Sequence, residues 1–311
     1  MSLRAVLERV FFSVIEPVIT TAVYVGLKAL RRDGRRVPIL MYHQVGEPVA
    51  GVPATDECVS PARFAAQMRA LVAAGYRTIT LGELAHALRE HPGHRLPGRC
   101  AVVTFDDGLR GQFTEALPIL QRHGLRATFF VIAGSAGGST GSEHLGFPGD
   151  TPEAWRPFGW REARTLARVG MEIGSHTITH RSLGALEPED VRVEIVRSRD
   201  ILQTRVGVPV SVFAYPFGSA AYGDVTDTTR ELLARAGYLA ACTTVVGTNG
   251  AAVDPLALER IPVEERDGAF RLRCKLAGAY DWVGAVKSRW QRAVPREAHV
   301  RRAAGLTAVA S

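Results

Sequence analysis

The sequence has few cysteines, and their spacing excludes the common thiolate metal sites. Four cysteines occur in 311 residues, and no CxxC pair is present. Structural zinc sites of the thiolate type and disulfide-stapled small folds both need closer or more numerous cysteines. We therefore expect all four thiols to be buried and inert. The four positions are Cys58, Cys100, Cys242 and Cys274.

The N-terminal region lacks the uninterrupted apolar run of a transmembrane helix. Apolar side chains recur with helical spacing from Leu3 to Ile19, but Glu16, Pro17 and Lys28 interrupt the stretch. A confident membrane span needs about 18 or more apolar residues without charges. We expect residues 1–36 to form an amphipathic helix that either lies on a membrane surface or packs on the protein.

Nucleic-acid motifs are also missing, although the chain is basic. The formal net charge is +7, and arginines cluster from Arg31 to Arg36 and in the tail after Arg271. Aromatic residues do not alternate with the basic ones, so we expect no nucleic-acid partner. The positive charge predicts either contact with an anionic membrane surface or side chains that are simply exposed to solvent. If the N-terminal helix crossed a bilayer, the cluster from Lys28 to Arg36 would favour a cytoplasmic domain. The side of the membrane stays open.

From Pro38 onward, short apolar runs alternate with helical patterns. Five helical patterns end at a glycine just before an apolar run, where glycine adopts the left-handed conformation cheaply. This predicts repeated βα units and one closed parallel barrel, because strands buried on both faces are continuously apolar. The glycines are Gly75, Gly124, Gly170, Gly207 and Gly237. The predicted strands are Pro38–His43, Tyr76–Thr80, Cys100–Phe105, Ala127–Ala133, Met171–Ser175, Val210–Tyr215, Tyr238–Thr244 and Leu258–Val263.

Reactive side chains follow the predicted strands at their C-terminal ends. His43 ends the first strand, Asp106 and Asp107 follow the third, and His176 and His180 follow the fifth. These ends share one rim in a (β/α) barrel, which is where such folds build their sites. Residues that are distant in the sequence are therefore expected to converge.

Two adjacent carboxylates and a histidine pair point to a metal ion. Asp106 and Asp107 are costly to bury side by side without a cation, although aspartates at a βα junction can also cap the next helix. His176 and His180 have the spacing of one helical turn, which lets both imidazoles reach one ion. With Asp107 they form a facial set that leaves positions open for water and substrate. Zinc is the favoured ion, with cobalt or nickel possible for the same donors.

These motifs carry a family resemblance. The segments TFDDG, SHTITH and FAYPFG, in this order, resemble the polysaccharide deacetylases, the fourth carbohydrate esterase family. The early PILMYH and the late RIPV are similar to the subgroup that processes exopolysaccharides. The resemblance implies a distorted (β/α)7-type barrel in which one of the eight strands is peripheral. It also implies metal-dependent removal of N-acetyl groups from a polysaccharide or oligosaccharide, outside the cytoplasm in most relatives.

Carried over to this chain, the resemblance assigns a role to each site residue. Asp106 is the expected general base, and Asp107, His176 and His180 are the expected metal ligands. The third motif would line the groove and supply a backbone amide near the developing oxyanion. Its residues here are Tyr215, Pro216 and Phe217.

Two departures from the family pattern affect the expected chemistry. Ala214 stands where many members have an arginine, and Arg260-Ile261-Pro262-Val263 stands where many supply a histidine as general acid. His43 is our candidate for the acid, because an imidazolium can protonate a leaving amine near neutral pH. Arg260 is placed at the substrate or oxyanion side of the site, and it can also replace the missing arginine by pairing with Asp106.

The sequence thus predicts one catalytic domain with short terminal additions. Residues 1–36 form the amphipathic segment, residues 37–270 the barrel, and residues 271–311 a basic helical tail. The alternative is a catalytically silent carbohydrate-binding or scaffold protein on the same fold, because both departures remove groups that many relatives use.

Overall fold

A computed structural model describes residues 15–30, 36–48, 57–90, 99–136 and 152–292. Its strands are β1 Val37–Tyr42, β2 Gln44–Val45, β3 Cys58–Val59, β4 Arg77–Thr78, β5 Cys100–Phe105, β6 Thr128–Val131, β7 Glu172–Ser175, β8 Val212–Ala214, β9 Ala240–Val246, β10 Thr248–Asn249 and β11 Leu258–Pro262. Its helices are α1 Glu16–Ala29, α2 Pro61–Ala73, α3 Leu81–Glu90, α4 Leu117–Arg122, α5 Trp160–Arg168, α6 Pro188–Val206, α7 Asp227–Arg235, α8 Ala269–Leu276 and α9 Asp281–Arg292.

Seven parallel strands close into a barrel flanked by helices. Their order is β1-β11-β9-β8-β7-β6-β5, and β5 pairs back to β1. β4 lies outside the ring and pairs with β5, and β10 pairs antiparallel with β1. The expectation of a single (β/α)7-type barrel is therefore confirmed. All eight predicted strands are present, and the peripheral one is Tyr76–Thr80, which contains β4.

Alternation along the strands separates two apolar layers. A smaller cluster in the barrel contains residues such as Ile39, Val102, Phe130 and Val212. A larger cluster contains their strand neighbours, such as Phe105, together with the inner faces of the helices. Successive residues of a strand point to opposite faces. The polar residues at the strand ends therefore also alternate between the barrel interior and the side of the helices.

The glycines that end the helical patterns have the predicted left-handed conformation. Their φ angles lie between +61° and +86°. A side chain there would be strained, so glycine fixes where each helix turns into the next strand. The residues are Gly75, Gly124, Gly170, Gly207 and Gly237. The four cysteines are buried, as expected, and none of them forms a disulfide bond.

Helix α1 packs along the outside of the barrel. Its inner face, which includes Val23 and Leu27, contacts a small apolar cluster at α8 and α9. Glu16 is buried and forms an ion pair with Arg271. No described helix is long and apolar enough to cross a membrane. Residues 1–14 and 31–35 of the predicted amphipathic segment lie outside the described residues.

Candidate metal centre

Asp107, His176 and His180 meet at the C-terminal rim of the barrel. Asp107 follows β5, and the two histidines follow β7. One ligand atom from each residue lies within 4.8 Å of the others. Asp107 Oδ1 is 3.5 Å from His176 Nε2 and 3.4 Å from His180 Nε2. The three side chains therefore surround a common point, as the sequence predicts.

The chemistry of this cluster fits a divalent ion. Asp107 Oδ1 is buried and has no hydrogen-bond partner among the described residues, so an acceptor is left without a donor. His176 Nδ1 lies 2.8 Å from the carbonyl oxygen of Ala214, which turns Nε2 toward Asp107. Burial lowers the pKa of His176 and of His180 to about 4, so both imidazoles are neutral at neutral pH. A neutral imidazole with one nitrogen fixed by a carbonyl is the usual form of a metal ligand.

The histidine pair is carried by an irregular loop, so the prediction of a helical turn was wrong. Thr177 and His180 have φ angles of +65° and +58°. Glu194 on α6 accepts hydrogen bonds from the backbone N–H of Ile178 at 2.6 Å and of Thr179 at 3.1 Å. These N–H groups are held by a carboxylate and not by carbonyls of the same turn. The loop is therefore positioned by the neighbouring helix.

Asp106 lies beside the cluster and is held by Arg260. Arg260 Nη1 donates to Asp106 Oδ1 at 2.6 Å, and both side chains are almost completely buried. Arg260 Nε donates to the carbonyl oxygen of Thr243 at 2.8 Å, which fixes the guanidinium. Burial alone would raise the pKa of Asp106, but the charge of Arg260, helped by His176 and His43, holds it well below its usual range. Asp106 is thus ionised and can accept a proton.

From the sequence, Arg260 was expected either at the substrate or oxyanion side of the site or beside Asp106, and it lies beside Asp106. It pairs with Asp106, as the missing arginine at Ala214 predicts, and its side chain has no exposed surface from which to contact a substrate.

His43 lies on the other side of Asp106. Its Nε2 is 3.9 Å from Asp106 Oδ2, and its Nδ1 is 3.6 Å from the Glu57 carboxylate. Burial alone would lower the pKa of His43, but Glu57, Asp106 and Asp107 outweigh it and raise the pKa. The raised pKa increases the share of the charged form compared with a free imidazole, and the charged form is the one a proton donor needs.

Three polar residues that support the site were not predicted. Gln112 donates to the carbonyl oxygens of His43 at 2.7 Å and of Asp106 at 2.5 Å, so it ties the ends of β1 and β5 together. Glu57 and Glu194 contact the site as described above. None of the three belongs to a motif, and each looks in the sequence like an ordinary surface residue of a helix or loop.

The residues of the third motif separate into core and rim. Tyr215 is fully buried, and its hydroxyl donates to the carbonyl oxygen of Leu256 at 2.9 Å. Ala214 faces the barrel interior, so the next side chain must face the helices. The Tyr215 side chain therefore cannot stack on a sugar. Pro216 is also buried. Phe217 is half-buried, and its ring centroid lies 5.3 Å from that of His180.

Comparison with known families matches the middle of the chain to one family model. A family model described as polysaccharide deacetylase matches residues 93–241. This range contains β5 to β8 and therefore Asp106, Asp107 and both histidines.

Two curated relatives are also named as deacetylases. YxkH of Bacillus subtilis (strain 168), whose name places it among the polysaccharide deacetylases, is 28% identical over 228 residues, which are 73% of this chain and 71% of that protein. The poly-beta-1,6-N-acetyl-D-glucosamine N-deacetylase of Escherichia coli (strain K12) is 25% identical over 246 residues. That match covers 67% of this chain and only 36% of the longer relative.

Two solved structures with the same barrel have a sequence identity to this chain similar to that of the curated relatives. The Streptococcus pyogenes deacetylase PplD, in complex with acetate, superposes with a TM-score of 0.64 at 27% identity, covering 78% of this chain and 98% of that one. IcaB from Ammonifex degensii superposes with a TM-score of 0.62 at 25% identity, covering 79% and 99%.

Proposed function

We propose that this chain removes N-acetyl groups from an N-acetylglucosamine-containing polysaccharide and releases acetate. The chain carries a polysaccharide deacetylase domain and so belongs with hydrolases of N-acetyl amide bonds. One observation carries the proposal. An ionised carboxylate, Asp106, stands directly beside a largely buried set of one carboxylate and two neutral imidazoles.

The reaction divides among residues of different strands. A divalent ion held by Asp107, His176 and His180 would polarise the acetamide carbonyl and lower the pKa of water. Asp106 takes the proton of the attacking water, and Arg260 keeps Asp106 ionised for this step.

The groove residues complete the mechanism. As the C–N bond breaks, His43 donates its proton to the leaving amine, and acetate departs from the other side of that bond. The Phe217 ring at the rim supplies an apolar face for a pyranose, and the backbone of Tyr215–Phe217 supports the developing oxyanion.

Zinc is the proposed ion, because two imidazoles and one carboxylate with open positions suit a catalytic zinc site. Cobalt and nickel accept the same donors. We also propose that residues 1–36 associate the enzyme with a membrane surface.

The proposed substrate is tested against the alternative of a silent binding protein. Acetate release is measured from N-acetylglucosamine oligomers linked β-1,6, with chitin and peptidoglycan fragments as competing substrates. The proposal expects release that is lost on chelation and restored by zinc. Binding of the oligomer without acetate release, with zinc present, would establish the silent alternative.

Two substitutions separate the base from the ligands. Asp106→Asn should abolish turnover while the bound metal is retained, because the neutral amide cannot take a proton. His176→Ala should lose the metal itself, because a ligand is missing. Metal content by elemental analysis, measured beside acetate release, checks both. Near-normal activity of Asp106→Asn would refute the assignment of the base.

A further inference from the structure

Two neighbouring loops at the rim carry residues in an unfavourable backbone conformation. His180, a candidate ligand, lies in the loop after β7, and Phe217 lies in the loop after β8. Both have a φ angle of +58°, in the left-handed region that residues other than glycine seldom adopt. Such conformations persist where the surrounding structure holds them. The two ring centroids are 5.3 Å apart, so the contacts that hold one loop against the other also set this distance.

One buried carboxylate bonds to both loops. Asp224 is fully buried and shortly precedes α7. Its Oδ1 accepts a hydrogen bond from the Ser182 hydroxyl at 2.5 Å and another from the backbone N–H of Gly184 at 3.2 Å. Its Oδ2 accepts from the backbone N–H of Ser219 at 3.3 Å. Ser182 and Ser219 each lie two residues after one of the two left-handed positions. The carboxylate therefore bridges the loops next to the residues that face the site.

The backbone of Asp224 and close packing keep this bridge in place. The N–H of Asp224 donates to the carbonyl oxygen of Ser219 at 3.2 Å, and its carbonyl oxygen accepts from the hydroxyl of Thr229, in α7, at 3.1 Å. A Cβ on Gly184 would overlap the carbonyl oxygen of Tyr222. The loop after β7 thus packs directly against the turn that leads to Asp224, and the carboxylate has a fixed place between them.

We propose that Asp224 is a positioning residue that joins the two loops, so that the candidate ligand His180 and the Phe217 ring keep a fixed separation. Glu194 holds the part of the first loop that precedes His180, and Asp224 holds the part that follows it. The link to Phe217 rests on the proposed function. A pyranose that lies on the Phe217 ring brings its acetamide to the ion only when the ring and the ligand have the right spacing.

The first test is zinc affinity, measured on the full chain by competition with a chelator. In Asp224→Asn one acceptor becomes a donor, which then faces an N–H or a hydroxyl group. We expect zinc to bind about 10-fold more weakly, as is typical when a residue that supports a metal ligand is changed. Ser182→Ala removes the hydroxyl donor and leaves the carboxylate in place, so it should show a smaller loss in the same direction.

The matched control is Glu172→Gln, at the opposite end of β7. Glu172 also accepts from a backbone N–H, that of Gly82 at 3.1 Å, and from a hydroxyl, that of Thr128 at 2.8 Å. It lies at the base of the barrel, so this variant should lose stability without losing zinc affinity. Denaturant titration of Glu172→Gln and Asp224→Asn gives the losses of stability with which the zinc affinities are compared.

The second test is acetate release from a soluble N-acetylglucosamine oligomer at saturating zinc. Asp224→Asn should lower kcat/KM by about 10-fold or more, because a small misplacement at a reacting site is costly. In a Phe217→Ala background the same substitution should have a much smaller effect, because no ring remains to be misplaced. A purely structural role would lower kcat/KM by the same factor in both backgrounds.

Two results would overturn the inference. If Asp224→Asn bound zinc as tightly as the wild-type chain, with its stability lowered as in Glu172→Gln, Asp224 would be a stabilising residue only. An equal loss of kcat/KM with and without the Phe217 ring would remove the link to the second loop. The proposed function fails separately, when the wild-type chain with zinc releases no acetate, and the zinc competition still tests the link to His180.

Discussion

Adjacent carboxylates in this site have opposite proton affinities, and their neighbours explain why. Asp106 faces the buried guanidinium of Arg260, which outweighs the effect of burial and lowers its pKa. Asp107 has no hydrogen bond from a guanidinium among the described residues, and burial raises its pKa against the lowering effect of His43 and His176. A cation beside Asp107 would offset that burial penalty. The pair therefore divides into a base and a ligand.

Replacing Arg260 tests this division. In Arg260→Gln the cation beside Asp106 is lost, so the pKa of Asp106 should rise by about 1 to 3 units. Because the base acts only when it is deprotonated, the acid limb of the kcat/KM profile should move to higher pH by a similar amount. The pH dependence of acetate release measures this shift.

The control for that experiment is Arg192→Gln, which removes an exposed arginine whose partner is Glu189 on the same helix. Its pH profile should equal that of the wild-type enzyme. An unchanged profile in Arg260→Gln would mean that Arg260 does not set the charge of Asp106.

At the residue scale, the sequence predicted positions better than orientations. The candidate ligands were predictable because each follows an apolar strand at the rim. The direction of the Tyr215 side chain was not, because it depends on a shift of one residue at the end of β8. Arg260 was identified as a partner of Asp106 because Ala214 stands where many members of the resembling family have an arginine.

At the element scale, the loop after β7 depends on helix α6. The backbone of this loop does not bond to itself as a helical turn would, and Glu194 takes its N–H groups instead. Glu194 also accepts from the hydroxyl of Thr179 at 2.5 Å. This geometry was not predictable from the spacing of His176 and His180, because the residue that imposes it lies on another element.

Glu194→Gln should weaken zinc binding without removing a ligand. The amide keeps the shape of the side chain but turns one acceptor into a donor, so a loop N–H or hydroxyl loses its partner. Supporting residues of this kind typically change metal affinity by about 10-fold to 100-fold. Competition with a chelator measures the zinc affinity.

The matched control is Glu189→Gln, the same substitution at an exposed position on the same helix. It should bind zinc like the wild-type protein. If both variants bind zinc equally well, Glu194 does not position the ligands.

At the scale of the whole molecule, the barrel was predictable because its strands are buried on both faces. All six residues of β1 and of β5 are buried, which gives the continuous apolar runs of the sequence. β4 differs, because Arg77 is exposed and, among the described strands, β5 is the one with which it pairs. The sequence showed eight similar runs and no direct sign of which one would lie outside the ring.

The packing of the barrel interior leaves no room for a side chain at position 174. A Cβ on Gly174 would lie 2.5 Å from the Phe130 ring. Gly174→Ala should therefore lower the free energy of unfolding by about 1 to 3 kcal/mol, which denaturant titration measures. Adding Phe130→Leu should recover part of the loss, because the smaller side chain frees space.

Gly26→Ala is the control for this substitution, since a Cβ there has no neighbour within 4 Å. It should leave the protein as stable or slightly more stable, because alanine favours a helix. A loss of stability equal to that of Gly174→Ala would contradict the packing argument.

The convergence of one carboxylate and two imidazoles on a single ion is tested most directly by a crystal structure with zinc, using anomalous scattering at the zinc edge. We predict one strong peak at about 2.0 to 2.2 Å from Asp107 Oδ1, His176 Nε2 and His180 Nε2. A zinc peak held by other residues, with these three side chains apart, would contradict the account.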